Sequence, residues 1–400
     1  MTQPAFMNAD NLPDPPAGTP PTPILDADDP DTYLAWPRDI LEAELTRRLR
    51  LAAGRGWADG VTRLLRAGFQ GSAVSEAFDQ LGPAPHLGGF ASPEELTWVR
   101  QLVSEVRAAP PAPVPRPYWS QRAGAAGEKT SEAATMDRFV ALVEGLERDG
   151  LWARAFGVDC PGGHGDPPEA PSGQIEGLLG KQIGAQGAWP LRASRPHWTL
   201  DDFYDLAEVL HDLASWPGTW DHHDYGDCIG HPSDFSPTCG QALYRHRVNE
   251  LLAQSTLDVR VADAGEDKGH IVRSAGDGLD DIIDVALAEP PAAFGPDVAH
   301  AVALFRSRTG DVAVMRSAVV ALAGVLEHNR SLLQRELLSN DAGALFDIAN
   351  NFDIRHRNAN QRTDYDPAFL EWLFYWYVAT VNLVARLQAG TPRTEFGTHE

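Results

Sequence analysis

The densest set of chemistry-bearing side chains lies in one short segment, Asn350 to Arg362. It holds Arg355, His356, Arg357, Asn358, Asn360, Gln361 and Arg362. An arginine fork grips a phosphate bidentately, and an imidazole exchanges protons near neutral pH. Those are the parts of a metal-independent ribonuclease. His356 would take the 2′-hydroxyl proton and Arg355 would offset the phosphorane charge, while Arg357, Asn358, Asn360, Gln361 and Arg362 held the substrate. The same composition also suits a structural connection between helices. There Asn350 and Asn351 would cap helix ends, Asp353 would pair with an arginine, and Asn358 and Gln361 would bond backbone.

Two further constellations are weaker. His222, His223, Cys228, His231 and Cys239 fall within an acidic, Trp-rich stretch. Thiolate and imidazole are zinc ligands, but the stretch has no CxxC pair, and Cys228-x2-His231 is its one close spacing. The alternative is a loop whose His and Asp residues cap helices and whose cysteines pack as small apolar groups. Glu208 and His211 are three residues apart, a spacing that shares one helix face and recurs in carboxylate-bridged metal sites. No second ExxH accompanies it, so capping or surface pairing by Glu208, His211 and Asp212 is the simpler reading. No phosphate loop, dinucleotide fingerprint, HExxH or GxSxG occurs. No cofactor other than zinc is expected.

The bulk composition narrows the classes. With 56 acidic and 33 basic residues the net charge is −23. Nucleic-acid affinity is built on Lys and Arg neutralising phosphates, so any RNA role must rest on a local basic patch such as Arg355–Arg362. Three cysteines, an odd and sparse count, point to a reducing, cytoplasmic setting rather than a disulfide framework. The N-terminal residues lack the pattern of a secretory signal. The apolar run Trp372–Ala385 is short and interrupted by Asn382, and reads as a buried core helix, with no membrane partner expected.

The elements that must position these residues are mainly helical. The reading is a mainly α, multi-domain protein with a C-terminal helical bundle and one short β-hairpin in its middle domain. Residues 1–34, rich in Pro and Asp, are expected to be disordered and to pack against nothing. A helical domain over 35–109 follows, with Ser92-Pro93-Glu94-Glu95 as a helix start. A Pro/Ala/Gly-rich linker covers 110–134. The middle α+β domain, 135–278, contains the His/Cys loop, a helix capped at Thr199, and alternation at Leu257, Val259 and Val261 that returns at His270–Val272 as a hairpin. Helices then fill 279–390, and 391–400 is a disordered tail.

The residues from Arg316 to Glu327, the segment Ile354–Asp366 and the aromatic helix after it resemble, in layout, HEPN-type helical domains of abortive-infection and toxin systems. The same region, about 300–388, resembles the C-terminal part of a widespread, largely uncharacterised bacterial family. That family is also resembled by Phe203–Asp212, Cys228-x2-His231 and Tyr244–Asn249. The HEPN resemblance implies a four- to five-helix bundle that forms a homodimer and binds or cleaves RNA or a nucleotide through an Arg and a later His. Here His356 follows Arg355 directly, and Asn360 or Gln361 stands where the later His would fall. The alternative is a non-enzymatic interaction protein whose bundle dimerises or binds a partner.

Overall fold

The computed structural model describes residues 22–52, 56–81, 91–110, 129–157, 172–184, 188–225, 228–274, 276–307, 311–337, 339–351 and 366–390. It is mainly helical, and the chain divides into two compact units, 1–254 and 255–400.

The first unit contains helices α1 (Arg38–Arg50), α2 (Trp57–Gly68), α3 (Ala73–Asp79), α4 (Pro93–Ala108), α5 (Glu132–Arg148), α6 (Ala153–Phe156), α7 (Ser172–Ile183), α8 (Leu191–Ser194), α9 (Leu200–Leu213) and α10 (Pro237–Ala253). Strands β1 (Thr219–Tyr225) and β2 (Cys228–Ser233) form an antiparallel hairpin between α9 and α10. Local chemistry sets two of the helix starts. Ser92 Oγ accepts from the Glu95 N–H while Glu95 accepts from the Ser92 N–H, and Thr199 and Asp202 repeat the exchange at α9. α2 buries Trp57, Val61, Leu64, Leu65 and Gly68 on one face. That leaves Asp59, Thr62, Arg63 and Arg66, at i, i+3, i+4 and i+7, on another.

A buried cation holds several of these elements in place. Arg48 of α1 is wholly buried, and its Nη2 donates to the Pro217 carbonyl at 2.7 Å and lies 3.1 Å from Glu44 Oε1. Arg47 binds both oxygens of Glu44 and donates to the Asp234 carbonyl. The Trp57 indole N–H donates to the Arg48 carbonyl. Burial pulls the Arg48 guanidinium down to about 10, with Glu44 opposing the fall.

Three expectations change in this unit. Residues 22–34 do pack: the N–H groups of Ile24 and Leu25 both donate to Glu105 Oε2 at 2.8 Å, and Leu34 bridges to Phe69. A carboxylate that accepts two successive amides anchors backbone that offers few apolar side chains. The segments 35–109 and 135–254 belong to one unit, because α1 packs on α10 and α2 on β1. Within the expected linker, residues 111–128 lie outside the described residues, and the Thr130 N–H bonds the Gln254 carbonyl. Finally, the expected His/Cys loop contains a second hairpin, with Asp221 opposite His231 and Tyr225 opposite Cys228.

The second unit begins with the expected hairpin, β3 (Val259–Val261) paired antiparallel to β4 (Ile271–Arg273), placed here rather than in a middle domain. Helices α11 (Asp277–Ala288), α12 (Gly295–Phe305), α13 (Val312–His328), α14 (Arg330–Glu336), α15 (Ser339–Asn351) and α16 (Pro367–Gln388) follow. α13 packs on α12, α15 and α16, and α11 packs on α16. α16 is long and apolar enough to span a membrane, and half of that stretch is buried in the bundle core. The Phe305 ring stacks on Phe374 at 3.8 Å. A charged cluster ties the hairpin to the helices. Asp284 receives Arg260 at 2.8 Å and the buried Arg306 at 3.1 Å, and Ser274 donates to Asp280. The tail 391–400 lies outside the described residues.

Gly60 marks the closest approach of two elements in the first unit. A Cβ there would fall 2.3 Å from the Gly218 carbonyl oxygen, and backbone cannot yield as a side-chain tip can. Gly145, inside α5, would place a Cβ no nearer than 3.8 Å to any such atom, the Arg148 Nη2. Gly60→Ala should therefore destabilise by about 1–3 kcal/mol. Gly145→Ala should stabilise by about 0.5–1 kcal/mol, the ordinary helical gain. Thermal unfolding of the two variants should move in opposite directions.

Candidate functional site

A cleft among the described residues lies in the first unit. Its volume is about 570 Å³, within the size range of small-molecule sites. The polar face of α2 supplies Asp59, Thr62, Arg63 and Arg66, with Gly60 beside them. The end of α5 supplies Arg148 and Asp149, and the entry to β1 supplies Trp216, Pro217, Thr219 and Trp220. Asp79 at the end of α3 completes the rim. Three arginines and three aspartates thus share one cleft with two tryptophans.

Its charges are not all satisfied by one another. Asp79 accepts from Thr62 at 2.9 Å and meets Arg66 at 3.4 Å, an exposed and loose pair. Arg63 is half-buried, and its guanidinium carbon sits 3.6 Å from the centroid of the Trp220 ring. It has no hydrogen-bond acceptor among the described residues, although Asp59 and Asp149 both act on it electrostatically. Burial lowers its pKa, the two carboxylates raise it, and Arg66 lowers it further. The indole N–H groups of Trp216 and Trp220 are buried and likewise lack an acceptor among the described residues. Trp216, 2% exposed, is fixed by a backbone pairing with Ser236 and an edge contact with Trp36. A half-buried guanidinium packed on an aromatic face, with no acceptor of its own, has the chemistry to hold an oxyanion.

The residues singled out in the sequence are placed as follows. Arg355, His356, Arg357, Asn358, Asn360, Gln361 and Arg362 lie outside the described residues, which stop at Asn351 and resume at Asp366. On either side, α15 and α16 are joined by the Tyr377 hydroxyl, which donates to the Leu345 carbonyl at 3.2 Å. His222, His223 and Cys228 lie on the backbone of β1 and β2, and their side chains are outside the described set. His231 stands opposite Asp221. Cys239 is not in a loop. It occupies the first turn of α10, where its N–H bonds Ser236 Oγ. Its thiol is buried and pushed well up, by burial first and by Glu44 second, the opposite of what a thiolate ligand requires. No group of three or more His, Cys, Asp or Glu that could hold a metal occurs among the described residues.

His211 has a structural position. It is 3% exposed, with Nδ1 at 3.0 Å from Asp212 Oδ1 and Nε2 at 2.9 Å from Arg245 Nη1. Arginine can only donate, so Nε2 accepts and the ring proton on Nδ1 donates to Asp212. His211 and Asp212 thus join Arg245 in linking α9 to α10.

No protein-family model, curated protein or solved structure matches this chain. The site therefore stands on its own geometry.

Asp149 offers a measurable handle on the cleft. Its carboxyl is raised above the usual 3.8, by desolvation against the pull of Arg148, Arg247 and Arg63. A raised carboxyl means the folded state holds its proton more tightly than the unfolded state. Stability is then lost as pH rises from the ordinary value through the folded one. Asp149→Asn removes that loss. The variant should match the wild type at the acid end and gain in melting temperature relative to it as pH climbs past the carboxylate range toward neutrality. An unchanged difference across that range would show that Asp149 is not desolvated.

Proposed function

We propose that the first unit is a binding module for a small molecule carrying an oxyanion, held in the cleft between α2, the end of α5 and the entry to β1. The observation that carries this reading is Arg63: a half-buried guanidinium, packed on Trp220, with no acceptor among the described residues. Desolvating a cation without a partner is unfavourable, and a ligand oxyanion would offset that cost. The test is calorimetric titration of the full chain with a panel of phosphate monoesters and small carboxylates. At least one class should bind. Arg63→Ala should weaken it by about 10- to 100-fold, the range of a charge-assisted hydrogen bond, without lowering the melting temperature. A panel that does not bind, or binding indifferent to Arg63, would overturn the reading.

A second reading concerns the other unit, and the basic segment Arg355–Arg362 in an acidic chain favours it. On this reading the bundle is a HEPN-like defence or stress module that binds or cleaves RNA, with Arg355 and His356 as the reacting pair. Its expected homodimer is supported by an aromatic row on α16, where the Phe369, Trp372 and Trp376 rings contact one another in sequence and Trp372 is 49% exposed. If His356 is the acid–base group, His356→Ala should cut RNA cleavage by about 10²–10⁴ with the fold intact. If the segment is structural, the same change should instead lower the melting temperature, and the wild type should leave RNA uncleaved.

A further inference from the structure

We infer that the ligand of the first-unit cleft is a nucleoside monophosphate, with its base stacked on Arg63. This rests on the cleft being the oxyanion site proposed above, and it narrows the ligand by three observations.

The first is the charge balance. Arg63, Arg66 and Arg148 are matched by Asp59, Asp79 and Asp149 around the same space. A triphosphate or an RNA strand would bring several negative charges against three carboxylates, whereas phosphate-binding surfaces for polyanions are built from unopposed Lys and Arg. A single phosphate meets enough arginine. The aspartates are then left as acceptors for hydroxyl and amino donors, and a ribose with a base supplies both.

The second is the layering at Arg63. Its guanidinium carbon lies over the Trp220 ring, 3.6 Å from the centroid. A planar guanidinium has two faces, and arginine stacks on aromatic rings with either. With one face on Trp220, the other is a platform for a base, and stacking of this kind tolerates any base. An aliphatic amino acid or a simple sugar phosphate has no planar ring to use it.

The third is the set of unanswered donors. The N–H groups of Arg63, which lines the cleft, have no acceptor among the described residues. Phosphate oxygens supply several acceptors at one point. The volume of about 570 Å³ accommodates base, ribose and phosphate together.

The experiment titrates the full chain with four kinds of probe: the ribonucleoside 5′-monophosphates, the matching nucleosides, inorganic phosphate and the nucleoside triphosphates. The monophosphates should bind at least about tenfold more tightly than nucleoside or inorganic phosphate alone, and more tightly than the triphosphates. Arg63→Lys keeps the charge but loses the flat platform. It should erase the preference for monophosphate over inorganic phosphate while phosphate binding persists. Arg148→Ala, at an exposed position, should weaken phosphate-bearing probes without affecting the fold. Inorganic phosphate or a sugar phosphate binding as tightly as the monophosphates, with Arg63→Lys neutral, would overturn the nucleotide assignment and leave the oxyanion site standing. Tighter binding of triphosphates would overturn it too. If no phosphate or carboxylate binds at all, both the assignment and the underlying reading fall.

Discussion

The first unit depends on one buried interaction, the Arg48 guanidinium donating to the Pro217 carbonyl. A fully buried cation is unfavourable unless its surroundings answer it; here Glu44 and a backbone carbonyl answer its Nη2, while Nε and Nη1 have no hydrogen-bond partner among the described residues. The result is a set of constraints that the hydrophobic effect alone cannot impose, because apolar packing has no direction. α1 is fixed against the residues leading into β1. Through the Arg48 carbonyl and the Trp57 indole, α2 is fixed against α1. Through Glu44, Arg47 and Asp234, the exit from β2 is tied to the same point. The cleft is what remains between these elements, so its shape follows from a charge that no ligand touches.

The second unit has an analogous centre, with Asp284 shared by Arg260 and Arg306 and with Asp280 alongside. It joins the short hairpin to the helices at a place where three-residue strands could bury little surface. A two-stranded ribbon is marginal by itself, and here charged hydrogen bonds supplement its few apolar contacts. Tyr375 lies near the same cluster, and burial pushes its hydroxyl up. Both units thus combine an apolar helix core with one directional ionic knot.

How much of this could be read in the sequence varies with the range of the interaction. The capping exchanges at Ser92 and Thr199 are local, and so are the alternation that gives β3 and β4 and the apolar periodicity of α13 and α16. All were legible. The β1–β2 hairpin was not, because its strands carry Asp, His and Pro, residues with low strand preference. Gly226-Asp227 between Tyr225 and Cys228 was the available clue. The docking of residues 24 and 25 was hidden because it depends on Glu105, eighty residues away. The cleft was hidden for the same reason. Its lining comes from α2, α3, α5 and the β1 entry, segments that no periodicity relates. One signal was present: the stripe Asp59, Thr62, Arg63 and Arg66 opposite the apolar face of α2. A mixed-charge stripe is ordinarily a solvated surface, so its composition alone does not mark it as the wall of a cleft.

The contact between Gly60 and Gly218 has a mechanical meaning. Two backbones meet there with no side chain between them, and a second close approach, Gly218 against the Asp234 carbonyl, continues the line. Nothing along it can compress or rotate aside. α2 and the β1 entry therefore behave as one stiff wall and floor. The opposite wall is different: Arg148 and Asp149 lie at the end of a helix. The rigid side of the cleft is thus the one that carries Arg63 and Trp220.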